Sequence, residues 1–118
     1  MVLSDTEKNI LKTMDAAMRS SIQEYRELIV FGSRSRGRSD EESDTDVALI
    51  FDVDHISTRM RMKVWDVKWQ VLAELDSEEF PLSLFLLTLE DLTSGRTVIA
   101  QEIKREGHPW TMTRSAPK

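Results

Sequence analysis

Residues 31–47 read FGSRSRGRSDEESDTDV, and this stretch sets both the fold and the chemistry that the sequence predicts. It joins two short runs, 28–31 and 47–51, that are rich in aliphatic, β-branched and aromatic residues, as buried strands are. Gly32 directly follows the first run, and glycine permits the positive φ and close backbone approach that a phosphate-binding turn needs. The segment 34–44 is rich in Arg, Ser, Asp and Glu and is predicted to be an exposed loop.

Two carboxylates lie at the start of the second strand. Asp44 and Asp46 are two residues apart, and side chains alternate along a strand, so we expect both on one face of the sheet. Paired carboxylates suit Mg²⁺, which binds one or two of them together with phosphate oxygens. An isolated Asp-x-Asp is more typical of a solvated loop, but its position after a glycine-serine turn and ten further residues favours a metal site. The candidate metal ligands are Asp44 and Asp46.

The turn and loop supply groups that suit a nucleotide triphosphate. Ser33 offers a hydroxyl beside free backbone N–H groups, Arg36 offers positive charge, and Gly37 lets the chain leave without crowding. Metal, amide donors and arginine together favour in-line displacement at phosphorus, where catalysis is mostly positioning and charge neutralisation. The candidate nucleotide-binding residues are Gly32, Ser33, Arg36 and Gly37. The candidate catalytic residues are Ser33, Asp44 and Asp46.

The rest of the chain alternates helices and strands. Ser4 and Glu7 form a capping-box pattern ahead of a helical apolar repeat. The other predicted elements are helices at 5–23, 56–76 and 98–105, a helix start at 88–91, a strand at 81–88 and a short edge strand at 108–113. This order predicts an α/β (α+β) fold with a small mixed sheet of three to four strands flanked by helices. We expect one domain over residues 1–113 and a disordered tail at 114–118.

Composition excludes several classes of protein. The chain of 118 residues carries a net charge of −5, which makes nucleic acid improbable as a direct ligand. It has no cysteine, so disulfide frameworks, thiolate metal sites and cysteine nucleophiles are excluded. No apolar run is long enough to cross a bilayer, so we expect no membrane association and a cytoplasmic location.

The glycine-serine turn followed by Asp44-Thr45-Asp46 resembles the signature of the minimal nucleotidyltransferases (MNT) of the DNA polymerase β-like superfamily. The order of elements, down to the ending at 103–107, fits the same family. The resemblance implies a nucleotidyltransferase fold, Mg²⁺ as cofactor, and transfer of a nucleoside monophosphate, usually AMP from ATP, to a hydroxyl. Many short members are antitoxins of HEPN/MNT toxin–antitoxin pairs and AMPylate a tyrosine of the ribonuclease toxin. A HEPN-type toxin is therefore the expected partner.

One departure from the family pattern leaves alternatives open. Members usually carry a third carboxylate in a later strand, and Ser83 occupies the matching position here. Glu90 and Asp91 lie past the end of that strand. The chain is thus expected to be a protein adenylyltransferase or, alternatively, a catalytically weak or inactive module that neutralises a partner by binding. Transfer to a small molecule ranks last, since no accessory domain is present to hold one.

The helix at 56–76 has apolar residues on two sides. One side suits the core; the other is either covered by a second element or forms a partner contact face. The residues of this second face are Met62, Trp65, Trp69 and Leu72.

Other polar residues of the chain are not expected in the site. His55 and His108 lack ligand spacing, and Asp52 and Asp54 follow the far end of the second strand, where a loop is the favoured interpretation.

Overall fold

The computed structural model describes residues 3–32 and 44–110. Over these residues it has four helices and a four-stranded mixed sheet, which confirms the predicted α/β (α+β) class. In chain order the elements are α1 (Asp5–Ser21), β1 (Tyr25–Phe31), β2 (Thr45–Phe51), α2 (Thr58–Glu74), β3 (Leu82–Thr88), α3 (Leu89–Ser94), α4 (Val98–Glu106) and β4 (His108–Pro109).

The sheet has the order β3-β2-β1-β4. β1 is antiparallel to both β2 and β4, whereas β2 and β3 are parallel and are joined by the crossover through α2. β1 begins at Tyr25 and β2 at Thr45, each earlier than predicted, because polar residues at their starts interrupt the apolar runs. The sheet therefore brings the end of β1 next to the beginnings of β2 and β3.

Helices cover both faces of the sheet. Val47, Leu49 and Phe51 of β2 pack against α1 and α2, and we call this side the α1/α2 face. The alternate residues Ala48 and Ile50 pack against α4 on the opposite side, the α4 face. Burial on both sides explains why the central strands are almost continuously apolar.

The predicted capping box at the start of α1 is present. The Glu7 backbone N–H donates to Ser4 Oγ at 3.1 Å, and the Ser4 N–H donates to Glu7 Oε1 at 2.9 Å. The other carboxylate oxygen of Glu7 accepts a buried bond of 3.0 Å from Thr45 Oγ1. The cap thus also attaches the first turn of α1 to the start of β2, a tie that the sequence pattern alone did not indicate.

The second apolar face of α2 is smaller than predicted. Leu72 is fully buried, so its assignment to that face is wrong. The buried stripe of α2 is broad enough to include adjacent positions such as Val71 and Leu72, because α1 and the sheet both pack against this helix. Met62, Trp65 and Trp69 remain 64%, 52% and 41% exposed, respectively.

Several predictions fall partly or wholly outside the described residues. Most of the loop at 34–44 and all of the tail at 114–118 lie there, as does the end of the predicted strand 108–113, of which β4 forms the first part. The single-domain boundary at 113 stays a prediction. None of the described helices combines the length and the apolar character that a membrane span requires.

A buried polar cluster links α1 to β1. The Tyr25 hydroxyl donates to Asp15 Oδ1 at 2.6 Å, and Arg19 Nη2 donates to the same oxygen at 3.0 Å. Burial and, to a lesser extent, the bond to Asp15 raise the pKa of Tyr25 well above its ordinary value. The folded chain therefore retains the phenolic proton at a pH where the unfolded chain loses it.

This raised pKa predicts a specific loss of stability in alkali. Below about pH 10 the hydroxyl is protonated in both states and its contribution is constant; above it, the free energy of unfolding falls, since only the unfolded state ionises. The chain has a single tyrosine, so its near-ultraviolet phenolate absorbance reports this group alone. We expect that absorbance to appear together with unfolding followed by circular dichroism. Phenolate forming near pH 10 in a still-folded protein would contradict the assignment.

Candidate active site

The end of β1 and the beginnings of β2 and β3 meet at one edge of the sheet. Phe31, the last residue of β1, pairs with Asp46 of β2, and Asp46 pairs on its other side with Ser83 of β3. Gly32 follows directly after Phe31. Three segments that are distant in sequence therefore place their polar residues side by side.

Asp44 and Asp46 lie on the α4 face of this edge, as their spacing predicted. Asp46 alternates with the buried Val47 and has the same orientation as Ala48, which packs on that face. Ser83, opposite Asp46, donates from Oγ to Asp44 Oδ2 at 2.7 Å, which brings Asp44 to the same place. Asp44 is exposed and Asp46 is half-buried, so the pair opens to solvent while its inner member is fixed by the sheet.

The carboxylate pair concentrates negative charge. Burial, the charge of Asp44 and the charge of Glu102 all raise the pKa of Asp46. A bound cation would relieve the repulsion among these carboxylates, and carboxylate oxygens are the ligands that Mg²⁺ prefers. Over the residues that the structure describes, no group of three or more acidic or histidine side chains could hold a metal ion. Asp44 and Asp46 would thus hold Mg²⁺ with help from water and substrate oxygens, and the ion would neutralise charge on the phosphates.

Position 32 requires glycine for two reasons, namely its backbone conformation and the side chain that lies beside it. Its φ is 77°, in the region that side chains rarely adopt. A Cβ at this position would collide with the Asp46 carboxylate oxygen Oδ2. Glycine therefore lets the chain turn away from β1 directly over the carboxylate, with the positive φ that the sequence analysis expects at this position. Ser33, Arg36 and Gly37 lie outside the described residues, and their roles stay predictions.

Ser83 occupies the position on β3 that the sequence resemblance assigns to a third carboxylate. Its hydroxyl orients Asp44 through the hydrogen bond described above but adds no negative charge. Glu90 does not replace it, because that carboxylate lies beyond the far end of β3 and pairs with Arg96 at 3.0 Å. The described site therefore holds two adjacent carboxylates and a neutral hydroxyl.

Lys68 is a component of the site that the sequence analysis missed. It is 7% exposed, and its Nζ donates to the Leu82 carbonyl at 3.3 Å. The ammonium also lies 4.4 Å from the centre of the Trp65 ring and 5.1 Å from that of Trp69. Burial lowers the pKa of Lys68, whereas the nearby charge of Asp44 raises it. The sequence gives only a weak signal, since position 68 adjoins the apolar stripe of the helix and lysine is ordinarily solvent-exposed.

Glu102 is the second missed residue. It lies on α4, next to the buried Ile103, and it is half-buried. Its charge acts on Asp46 from the helix that covers the α4 face. No spacing motif could reveal this proximity, because it depends on how α4 packs on the sheet.

The other polar residues named in the sequence analysis have the following positions. Asp52 lies at the opposite end of β2, where it pairs with Arg26 at 3.2 Å. His55 lies in the connection that follows β2, and His108 begins β4, where it pairs with Val30.

Comparison with known families agrees with this geometry. The model of the family described as Polymerase beta, Nucleotidyltransferase matches residues 9–109. The chain belongs to this nucleotidyltransferase family, which confirms the resemblance seen in the sequence. No curated protein matches the chain.

Several solved structures share the fold. A toxin–antitoxin with AMP-PNP matches with a TM-score of 0.57 and 24% identity over 90% of this chain and 72% of the other. A nucleotidyltransferase described as putative, from Sulfolobus solfataricus, matches with a TM-score of 0.52 and 18% identity over 92% and 89%. A complex of a tri-AMPylated Shewanella oneidensis HEPN toxin with an MNT antitoxin matches with a TM-score of 0.50 and 23% identity over 88% and 70%. At these identities the likeness concerns the fold.

The repulsion at Asp46 predicts that this residue costs stability. Asp46→Asn removes the buried charge, so we expect the metal-free variant to be more stable by about 0.5 kcal/mol after allowance for solvent screening, and to bind Mg²⁺ about tenfold more weakly or worse. Because the pKa of Asp46 is raised, its ionised carboxylate lowers the free energy of unfolding at neutral pH. This destabilisation disappears as the pH falls through the raised pKa and the carboxylate is protonated.

Urea unfolding without metal and calorimetric Mg²⁺ titration measure the two effects of Asp46→Asn. Asp54→Asn, in the exposed connection after β2, is the matched control and should change neither quantity. A metal-free Asp46→Asn variant less stable than the wild type would contradict the electrostatic explanation.

Proposed function

We propose that this chain transfers AMP from ATP to a hydroxyl group of a partner protein and acts as the antitoxin of a HEPN/MNT pair, AMPylating the ribonuclease toxin in the cytoplasm. The observation that carries the proposal is the meeting of Gly32 with Asp44 and Asp46 at one sheet edge. Membership of the nucleotidyltransferase family supports the chemistry. Structural neighbours that include an AMP-PNP complex and an AMPylated HEPN toxin support the nucleotide and the partner.

The proposed role of each residue follows from its position in the site. Asp44 and Asp46 hold Mg²⁺, while Gly32 and Ser33 bind the phosphates together with Arg36 and Gly37. The acceptor oxygen forms a bond to the α-phosphorus of ATP, pyrophosphate leaves as its bond to that phosphorus breaks, and the hydroxyl proton passes to solvent. Ser83 is a positioning residue in this scheme, since its hydroxyl fixes the orientation of Asp44.

The proposed contact face for the toxin consists of Met62, Trp65 and Trp69. These large apolar side chains are exposed on α2, and such groups are enriched at protein interfaces. The Lys68 ammonium lies against both indole rings and interacts electrostatically with Asp44, so this face is continuous with the candidate site. A partner bound there would bring its acceptor hydroxyl close to the carboxylates.

The transfer reaction is tested with radiolabelled ATP, Mg²⁺ and a HEPN-type toxin encoded beside this chain. We expect label on the toxin, and a loss of about hundredfold or more with Asp44→Ala or Asp46→Ala, since each substitution removes a metal ligand. Asp54→Ala serves as the matched control and should transfer at the wild-type rate. Unchanged labelling with Asp44→Ala would exclude the proposed chemistry.

A second candidate function rests on Ser83. A neutral residue in place of the third carboxylate favours a weak or inactive enzyme that neutralises its partner by binding. Toxin neutralisation in cells separates the two functions. Under the binding function, Asp44→Ala with Asp46→Ala neutralises the toxin normally, whereas Trp65→Ala with Trp69→Ala does not.

Ser83→Asp provides a gain-of-function prediction for the enzyme. The substitution adds a carboxylate opposite Asp46, which could assist a second metal ion and accept the proton of the acceptor. We expect AMP transfer to accelerate by about tenfold, measured as initial rates of labelling, with Ser83→Asn as the control of similar size. Equal rates for the two variants would argue against a missing carboxylate as the limiting factor.

A further inference from the structure

Lys68 binds the peptide group that directly precedes Ser83. Its Nζ donates to the Leu82 carbonyl at 3.3 Å in a buried contact, and this carbonyl is part of the peptide bond between Leu82 and Ser83. Thr45 N–H donates to the carbonyl of Pro81, so Pro81 faces β2 and the carbonyl of Leu82 faces the outer edge of the sheet. Over the described residues no strand lies beyond that edge, and the Lys68 ammonium supplies the hydrogen bond that a neighbouring strand would supply.

The same peptide group determines where the Ser83 hydroxyl lies. A peptide bond is planar, so holding the Leu82 carbonyl also holds the backbone nitrogen of Ser83 and limits the position of its side chain. Ser83 lies opposite Asp46, and its Oγ donates to Asp44 Oδ2 at 2.7 Å. Asp44 is exposed and precedes the first residue of β2, so it has less support from the sheet than the half-buried Asp46. The orientation of Asp44 therefore depends on Ser83 and, through the peptide group, on Lys68.

Two indole rings hold the ammonium in this position. Lys68 Nζ lies 4.4 Å from the centre of the Trp65 ring and 5.1 Å from that of Trp69, and the two rings contact each other edge to face. Lys68 is buried although both tryptophans are exposed, so the rings shield the ammonium from water. A cation is attracted to aromatic faces, and exclusion of water strengthens its hydrogen bond. These contacts offset the unfavourable burial of the charge.

The charge of Lys68 alone would have the opposite effect on a bound metal ion. The ammonium interacts electrostatically with Asp44, so it lies near the candidate metal ligands. A positive charge near the site repels a divalent cation, and a purely electrostatic role thus predicts that loss of the charge strengthens Mg²⁺ binding. A positioning role predicts that loss of the ammonium weakens Mg²⁺ binding, because Asp44 loses its orientation. The sign of the change in Mg²⁺ affinity separates the two roles.

We propose that Lys68 is a positioning residue of the metal site, which holds the peptide between Leu82 and Ser83 so that the Ser83 hydroxyl directs Asp44 toward Mg²⁺. Lys68 itself contacts neither the ion nor the substrate in this arrangement. The inference deepens the proposed function and rests on it only for the presence of Mg²⁺ at Asp44 and Asp46. The exposed tryptophans that hold the lysine belong to the proposed contact face, so that face and the arrangement of the metal ligands depend on the same side chain.

A double-mutant cycle followed by calorimetric Mg²⁺ titration tests the proposal without a partner or ATP. The four proteins are the wild type, Lys68→Met, Ser83→Ala and the variant with both substitutions. Methionine keeps an unbranched side chain of similar length but removes the charge and the N–H donors. Lys68→Arg keeps a positive charge and donors and is the conservative variant. Lys63→Met removes a charge from the exposed side of the same helix and is the matched control.

We expect Ser83→Ala to weaken Mg²⁺ binding about tenfold and Lys68→Met about threefold or more, since loss of the charge offsets part of the effect. In the Ser83→Ala background, Lys68→Met should weaken binding no further, because the path from Lys68 to Asp44 is already broken. Lys68→Arg should bind Mg²⁺ more tightly than Lys68→Met, and Lys63→Met should match the wild type. A merely structural lysine would change the free energy of unfolding, measured in urea, but not the Mg²⁺ affinity of the folded protein.

Mg²⁺ binding that is tighter or unchanged in Lys68→Met, weakening that adds to that of Ser83→Ala, or a wild type that binds no Mg²⁺ would overturn the proposal. If Lys68→Met does not fold by circular dichroism, Trp65→Leu with Trp69→Leu takes its place in the cycle. This variant removes the aromatic faces that hold the ammonium and should weaken Mg²⁺ binding about twofold, only when Ser83 is present. Unchanged affinity in that variant would then overturn the proposal.

The cycle is separate from AMP transfer. Transfer that is absent while the cycle is non-additive would overturn the proposed reaction alone. Transfer that requires Asp44, together with an unchanged Mg²⁺ affinity in Lys68→Met, would overturn the positioning role alone.

Discussion

The close approach of the Asp46 carboxylate to the backbone of Gly32 is the contact on which the site depends. It requires the end of β1 and the start of β2 to lie side by side, a residue with no Cβ, and a positive φ that turns the chain over the carboxylate. No other amino acid meets these conditions without moving Asp46. The turn and the acid are thus a single structural unit, and their spacing in sequence reflects a geometric requirement.

Holding two like charges together at a sheet edge requires a rigid frame. The sheet provides this frame, because apolar side chains pack on both of its faces. At the edge that carries the carboxylates, the Thr45 hydroxyl donates to the buried Glu7 of α1 and so fixes the start of β2. Ser83 adds a bond to Asp44 from the neighbouring strand. These contacts offset the mutual repulsion of the carboxylates, which adds to burial in raising the pKa of Asp46.

The sequence could predict features that are local. The capping box of α1, the apolar runs of β1 and β2 and the glycine-serine turn before the paired acids each depend on residues close together in the chain, and together they identify the fold class. It could not predict that Glu102 acts on Asp46, since this depends on packing between α4 and the sheet. Lys68 is missed and Leu72 is wrongly assigned for a related reason: the helical pattern gives the directions of side chains, but the width of the buried stripe depends on which elements pack against α2.

Lys68 connects the exposed apolar face of α2 with the candidate site. Its ammonium lies against the rings of the exposed Trp65 and Trp69 and donates to the Leu82 carbonyl at the beginning of β3, one residue before Ser83. Under the proposed function, the exposed face of α2 and the start of β3 contact the same lysine, so recognition of the partner and alignment of its hydroxyl would share this residue. The proposed function would explain why large apolar side chains are tolerated on the surface of α2, since exposed tryptophans are enriched where one protein binds another.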